Sequence, residues 1–395
     1  MYIIRIHIYT HGGGGGGKKN NRADFALEWK YGILSKPGGH GVVHSLMYST
    51  GTAQKWEDMG ISWLVFLQDT NGVAMRSLIS ALGVSAMNQF VMNSITIPRR
   101  PKQPIGAITQ LRHTGNDDVL TINVEYNQLE PLLKNCSESR EGDIADNRTG
   151  YSKYPGNCNT LILKLDTYNR VMAKTKGAVP EFVNPKYADA TKTMFKSPAR
   201  LESMMQEYPK ALSNVYFLFF NLLFYLTIII MQTAGKEREA VGITLYAPWF
   251  AFVPVKYNIV DAQKNYELLG DAMSASSGEA GMYRCYRELL RAAGARIDES
   301  EEKTRLFGSV PVENGAKVVL HPSFGVTVHE IRSKIKGNVH ISGESTFVVD
   351  GEFIEIHNLK LDGTLIIRAK NNSKIVIHNL TVKNEGWYVD FLSAF

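Results

Sequence analysis

Near residue 310 the periodicity of the chain changes, and no single layered domain accommodates both patterns. Before that point strands alternate with helical stretches. Trp63-Leu64-Val65-Phe66-Leu67 reads as a buried parallel strand. Val43 to Trp56 reads as a helix, with Leu46, Met47 and Trp56 near helical spacing. Leu120 to Val124 alternates as a strand, and Leu161 to Leu165 is a strand leading into a helix. This order implies a doubly wound α/β sheet, with ligands at strand C-termini. From about Val310 to Trp387 short β runs dominate instead: Lys317–Leu320, Asn338–Ile341, Thr346–Val349, Phe353–Ile356, Thr364–Arg368 and Lys374–Ile377. Asp350-Gly351, Asp362-Gly363 and Asn371-Asn372 turns separate them. His357-Asn358-Leu359 and His378-Asn379-Leu380 echo each other, about two coils apart. Such repetition suits a parallel β-helix, with an antiparallel sandwich as the alternative.

A chain of 395 residues is long enough for two domains. Its formal charge of +6 is mild and scattered beyond the Lys18, Lys19, Arg22 cluster. Basic residues do not interleave with aromatics, which argues against a nucleic-acid partner. Three widely spaced cysteines, Cys136, Cys158 and Cys285, without a C-x-x-C pair fit a reducing, cytoplasmic location. Residues 1–20 look foreign to the rest. Tyr2 to Tyr9 alternates weakly like a strand, and Gly12 to Gly17 follow. A pure glycine run lacks the side chains that lock a phosphate loop, so a flexible linker is expected there.

Chemistry is concentrated in Lys36-Pro37-Gly38-Gly39-His40-Gly41 and Phe66-Leu67-Gln68-Asp69-Thr70-Asn71-Gly72. The first is a glycine-rich loop opening a helical pattern. The second is an apolar strand ending on a carboxylate. Exposed backbone N–H groups near a strand-end Asp suit a nucleotide and its metal ion. A tight turn and a helix cap explain the same residues structurally.

These segments resemble those of the UDP-sugar pyrophosphorylase family, broad-specificity uridylyltransferases. The family loop reads Lys-Pro-His-Gly-His-Gly-Asp-Val-His and its strand ends Gln-Asp-Thr-Asn-Gly. Here Gly38 replaces the first His and Val42 replaces the Asp. Val124-Glu125-Tyr126-Asn127-Gln128-Leu129, Tyr154–Asn159, Glu181–Tyr187, Arg200–Pro209, Ser277-Gly278-Glu279 and Asp362-Gly363 continue the match in the same order, from about Asn21 to about Trp387. The resemblance implies a Rossmann-like nucleotidyltransferase sheet over 21–309, a small C-terminal parallel β-helix domain over 310–387, and a tail at 388–395. It implies transfer of uridylyl from UTP to a monosaccharide 1-phosphate, giving a UDP-sugar and pyrophosphate. Asp69 would hold Mg²⁺ near the α-phosphate, and Lys186 would approach the phosphates. Gly39, His40 and Gly41 would pack against uridine. Glu125 and Asn157 would meet the sugar.

Val215 to Met231 is an uncharged apolar run at the lower length limit for a membrane span. The resemblance stops at Leu212 and resumes at Ala240, so residues 213–239 read as an insertion within one domain. A span there would divide one sheet across a bilayer, so membrane association is not expected and the chain reads as a monomer. The family's triphosphate loop, resembling Gly-Gly-Leu-Gly-Glu-Arg-Leu-Gly, stands before the Lys-Pro-His-Gly-His-Gly segment. Its absence from this sequence leads to an expectation of weak turnover or none. A non-catalytic binder of sugar or nucleotide is the first alternative, and a membrane-anchored protein the second.

Overall fold

The computed structural model describes residues 15–18, 20, 24–112, 119–135, 140–183, 187–189, 191, 193–199, 201–212, 240–370 and 373–386. Cys136, Lys186, the whole 213–239 segment with its apolar run, residues 1–14 and the 388–395 tail lie outside them. The chain divides into two compact units, Met1–Leu67 with Ser80–Leu245, and Gln68–Ile79 with Tyr246–Phe395.

The first unit is built on a mixed six-stranded sheet. Its elements in chain order are α1 (Val42–Ser49), β1 (Trp63–Phe66), β2 (Met92–Ile97), β3 (Ala107–Arg112), β4 (Val119–Val124), β5 (Gly156–Lys164), α2 (Leu165–Thr175) and β6 (Val241–Leu245). The sheet order is β6-β2-β5-β3-β4, with β1 also paired to β5. Only β6 and β2 run parallel; the β2–β5, β3–β5, β3–β4 and β1–β5 pairs are antiparallel. The parallel reading of Trp63–Leu67 is therefore corrected. A short apolar run reports that a strand is covered on both faces, whereas its direction depends on a partner about a hundred residues away.

Long-range packing fixes the rest of this unit. On α2, Leu165, Tyr168, Val171 and Met172 are buried at helical spacing. They meet Leu161 and Leu163 of β5, Met92 of β2, and Val43 and Met47 of α1 in one apolar core. Gly15–Gly17, expected within a flexible linker, pair antiparallel with Ser35–Pro37, since ladder hydrogen bonds require no side chains.

In the second unit α3 (Ala275–Ala293) starts at a capping box between Ser274 and Ser277. The following strands are β7 (Arg296–Ile297), β8 (Lys317–Leu320), β9 (Ile335–Ile341), β10 (Thr346–Asp350), β11 (Ile354–Asp362), β12 (Thr364–Arg368) and β13 (Ile375–Lys383). Beside an antiparallel hairpin of Thr304–Phe307 with Val310–Glu313, these strands form two sheets, β7-β9-β11-β13 and β8-β10-β12, in which every pairing is parallel. Successive strands from β8 to β13 alternate between the sheets. Val318, Leu320, Phe347, Val349, Ile356 and Leu361 are buried between them, with Cys285, Leu289 and Leu290 of α3 in the same core. His357 pairs directly with His378 on the neighbouring strand, so the echoed triplets are one turn apart rather than two. Asn358 and Asn379 follow at φ 62° and 51°, and Asn358 Nδ2 donates to Asn379 Oδ1 at 2.8 Å. Among the described residues, no helix is long and apolar enough to cross a membrane.

Candidate functional site

Glycines at positions 39 and 41 let two chain segments meet within van der Waals limits. Gly39 has φ +87°, and a Cβ there would lie 2.3 Å from the Ser203 carbonyl oxygen. A Cβ on Gly41 would lie 2.6 Å from the Ser203 carbonyl carbon. The Gly41 N–H donates to Ser203 O at 2.9 Å, and the Ser203 N–H donates to Gly38 O at 2.8 Å. The sequence predicts close approach to a nucleotide at these glycines; on this side the approaching backbone is the chain's own.

Two histidines then hold opposite ends of one residue. His40 Nδ1 accepts the Met205 N–H at 3.0 Å. His44 Nε2 donates to the Met205 carbonyl at 3.0 Å, which leaves Nδ1 to accept from the Tyr168 hydroxyl at 2.9 Å. His44 is fully buried. Burial pushes its pKa down to about 4; the Met205 carbonyl opposes this and His40 adds to it. The atoms packed around His40 lower its pKa as well, with Glu202 pulling the other way. Burial thus favours the neutral form of both rings.

Glu125 and Asn157, far apart in sequence, come together through a residue that sequence reasoning passed over. Asn123, on β4, accepts from Asn157 Nδ2 at 3.1 Å and donates through its own Nδ2 to Glu125 Oε1 at 2.9 Å. Asn157 Oδ1 accepts the Asn159 N–H at 2.9 Å. Asn123 and Asn157 are 7% and 6% exposed, whereas Glu125 is half-buried. The two asparagines stand on strands that β3 joins into one sheet.

The Met205–Glu207 turn lies beside this cluster. Gln206 is buried. Its Nε2 donates to Met204 Sδ at 3.1 Å, and its Oε1 has no hydrogen-bond partner among the described residues. A small hollow is lined by Gln206 with Ser94, Thr121, Asn123 and Val241. Glu207 is ion-paired with Lys210. Burial raises the Glu207 carboxyl above the usual range against the pull of Lys210, and Glu125 adds to the rise. The Gly39–Gly41 loop is therefore coupled through Met205 to the surroundings of Glu125. No sequence pattern announced Asn123, Gln206 or Glu207 as site residues; Gln206 and Glu207 lay within a matched segment without a role.

Asp69 occupies an exposed turn after β1 and belongs to the second unit, whereas the residues above belong to the first. Lys186 lies outside the described residues. No cluster of three or more His, Cys, Asp or Glu side chains suited to a metal is present among the described residues.

The resemblance read from the motifs is borne out by curated relatives. A UDP-sugar pyrophosphorylase of Oryza sativa subsp. indica is 42% identical over 375 residues, covering 94% of this chain and 56% of the relative. One from Arabidopsis thaliana is 40% identical over 374 residues, with the same two coverages. The chain thus spans little more than half the length of these relatives. No family model matches it. Among solved structures, an Entamoeba histolytica protein provisionally assigned as a UDP-N-acetylglucosamine pyrophosphorylase aligns with a TM-score of 0.51 at 13% identity. That alignment covers 85% of this chain and 68% of the other, and it supports the fold alone.

Proposed function

We propose that this chain, a homologue of UDP-sugar pyrophosphorylases over 94% of its own length, acts on UTP and a monosaccharide 1-phosphate as a uridylyltransferase. A phosphate oxygen of the sugar phosphate attacks the α-phosphorus of UTP. The bond from that phosphorus to the bridging oxygen breaks, and pyrophosphate leaves. The nucleophile is already an anion, so no general base is required, and positioning with charge neutralisation does most of the work.

The observation that carries this reading is the Asn157–Asn123–Glu125 chain of hydrogen bonds. It holds a half-buried carboxylate just past the end of β4, and a carboxylate accepts from paired sugar hydroxyls. In this reading Glu125 and Asn157 serve the sugar side, and Gly39, His40 and Gly41 the uridine side. Lys186 serves the phosphates as a point charge. An exposed carboxylate such as Asp69 fits Mg²⁺, which keeps several waters and takes substrate phosphates as ligands. When bound, the ion would neutralise phosphate charge. The same proposal includes a cytoplasmic monomer with its catalytic part over 21–309. The alternating parallel strands of 317–383 support reading 310–387 as a short β-helix, entered through an antiparallel hairpin at Val310–Glu313.

The test is pyrophosphate release from UTP with Mg²⁺ and a panel of sugar 1-phosphates, run beside calorimetric binding of UDP-glucose. Release that is lost in Glu125→Ala and Lys186→Ala supports the reading. Binding without release points to the non-catalytic sugar-nucleotide binder. Neither binding nor release overturns the proposal.

A further inference from the structure

We infer that Asn123 is a positioning residue for sugar recognition, setting the Glu125 carboxylate through a hydrogen-bond chain whose direction is fixed from one end. The inference rests on the reading of Glu125 as the sugar-side acid.

The direction follows from chemistry. The Asn159 backbone N–H can only donate, and it donates to Asn157 Oδ1 at 2.9 Å. That sets the Asn157 carboxamide with Nδ2 turned toward Asn123. Asn123 must then present Oδ1 to Asn157, which leaves its Nδ2 for the carboxylate, at 2.9 Å from Glu125 Oε1. Each carboxamide has one orientation compatible with its neighbours. The chain ends on the only charged member, where a hydrogen bond is strongest. Asn159 is held at φ 55° where the β2–β5 register shifts, so the starting donor sits on a bulge of β5.

Burial divides the roles. Asn123 and Asn157 are almost inaccessible, and their polar atoms face each other, Asn159 and Glu125. Glu125 is the more open of the three. Its Oε1 accepts from Asn123, and the carboxylate keeps further acceptor sites for a ligand. Next to Asn123, the buried Gln206 Oε1 faces the same small hollow without a partner among the described residues.

The experiment compares affinities for UDP-glucose and UDP in the full chain, because their ratio isolates the sugar. Wild-type protein is expected to bind UDP-glucose the more tightly. Asn123→Ala should reduce that ratio about tenfold, the loss of one charge-assisted contact, while UDP affinity stays constant. In a double-mutant cycle, Asn123→Ala on top of Glu125→Ala should cost nothing further, because Asn123 acts through Glu125. Asn123→Asp keeps the volume but puts a second carboxylate against Glu125. It should lower the ratio at neutral pH, with recovery as the pH is reduced. An unchanged ratio in both Asn123 variants overturns the inference alone. Equal losses for UDP and UDP-glucose, or additive losses in the cycle, show a merely structural residue and also overturn it. Failure of wild-type protein to bind either compound overturns the functional reading and this inference with it.

Discussion

The first unit and the stacked strands of 317–383 place their polar groups in opposite ways. In the first unit polar side chains run through the interior: Arg99 against Asp143, His44 against Tyr168 and Met205, Asn157 against Asn123. In the stacked strands the interior is mainly apolar, with the Ser345, Thr346 and Thr364 hydroxyls as buried exceptions, and charged and carboxamide groups form ladders on the outside, such as Asn358 on Asn379 and Glu355 between Lys336 and Lys374. A buried polar group has one acceptable partner and a heavy penalty without it. An exposed one has water as a substitute. The first unit therefore gains a unique arrangement, suited to holding a site, at the cost of fragility. The stacked strands gain stability from repetition.

The comparison breaks most easily at Arg99. Its side chain is fully buried, and Nη2 donates to Asp143 Oδ2 at 2.8 Å. Asp143 also accepts from the Ser152 hydroxyl at 2.6 Å and the Lys102 N–H at 3.0 Å. Asp143→Ala leaves a buried guanidinium without its counter-charge. The expected loss is about 3–5 kcal/mol, larger than at His44 or Glu355, and is measurable from urea unfolding curves. A loss under about 1 kcal/mol, on the order of a surface pair, would erase the proposed contrast.

His44 sharpens the same point through pH. Its folded pKa is lowered from 6.5 to about 4 by burial. Above 6.5 the ring is neutral in both states. As pH falls from 6.5 toward 4, only the unfolded chain takes up the proton, so stability falls. The span corresponds to roughly 3 kcal/mol at most. His44→Phe should flatten the dependence of unfolding free energy on pH across that window, even if the variant is less stable throughout. A slope identical to wild type would show that another group titrates there.

How much is legible in the sequence differs between the two regions for the same reason. The stacked strands can be read because repetition is a sequence property. The echoed His-Asn-Leu triplets, the Asp-Gly turns and the short β runs each recur, although the triplets lie on neighbouring strands rather than two coils apart. In the first unit the alternating Leu120–Val124 strand is legible, but Asn123 passes as the polar, outward member of the alternation. It is buried, because a third strand brings Asn157 over it. Nothing local distinguishes a polar residue facing water from one facing a distant carboxamide. Arg99 within Arg99-Arg100-Pro101 is a similar case. Glu125 and Asn157 are named through resemblance, and the structure supplies the link between them. The glycines at 39 and 41 are recognisable as close-approach positions, yet only the fold reveals Ser203 as the backbone that approaches.

The smallest expected effect is at Glu355 and tests the other side of the comparison. Its carboxyl is pushed down to about 2, first by the hydrogen bond from Lys336, then by His357 and the charges of Lys336 and Lys374. Taken by itself such a shift suggests strong stabilisation, present above the ordinary carboxylate range and lost as pH falls toward 2. The surroundings argue otherwise. The partners are Lys336 Nζ at 3.1 Å, Lys374 Nζ at 3.5 Å and His357 Nε2 at 3.3 Å, with the lysines about half or more exposed. Water and salt screen such pairs, and ordering long side chains offsets what attraction remains. Glu355→Gln should therefore leave the urea midpoint unchanged within error at about 0.15 M salt, with at most a slight loss when salt is removed. The apolar partners buried beneath it, Ile354 and Ile356, keep the register whether or not the carboxylate is charged. A loss approaching that of Asp143→Ala would mean that the outer ladder, and not the apolar interior, sets the stacking of these strands.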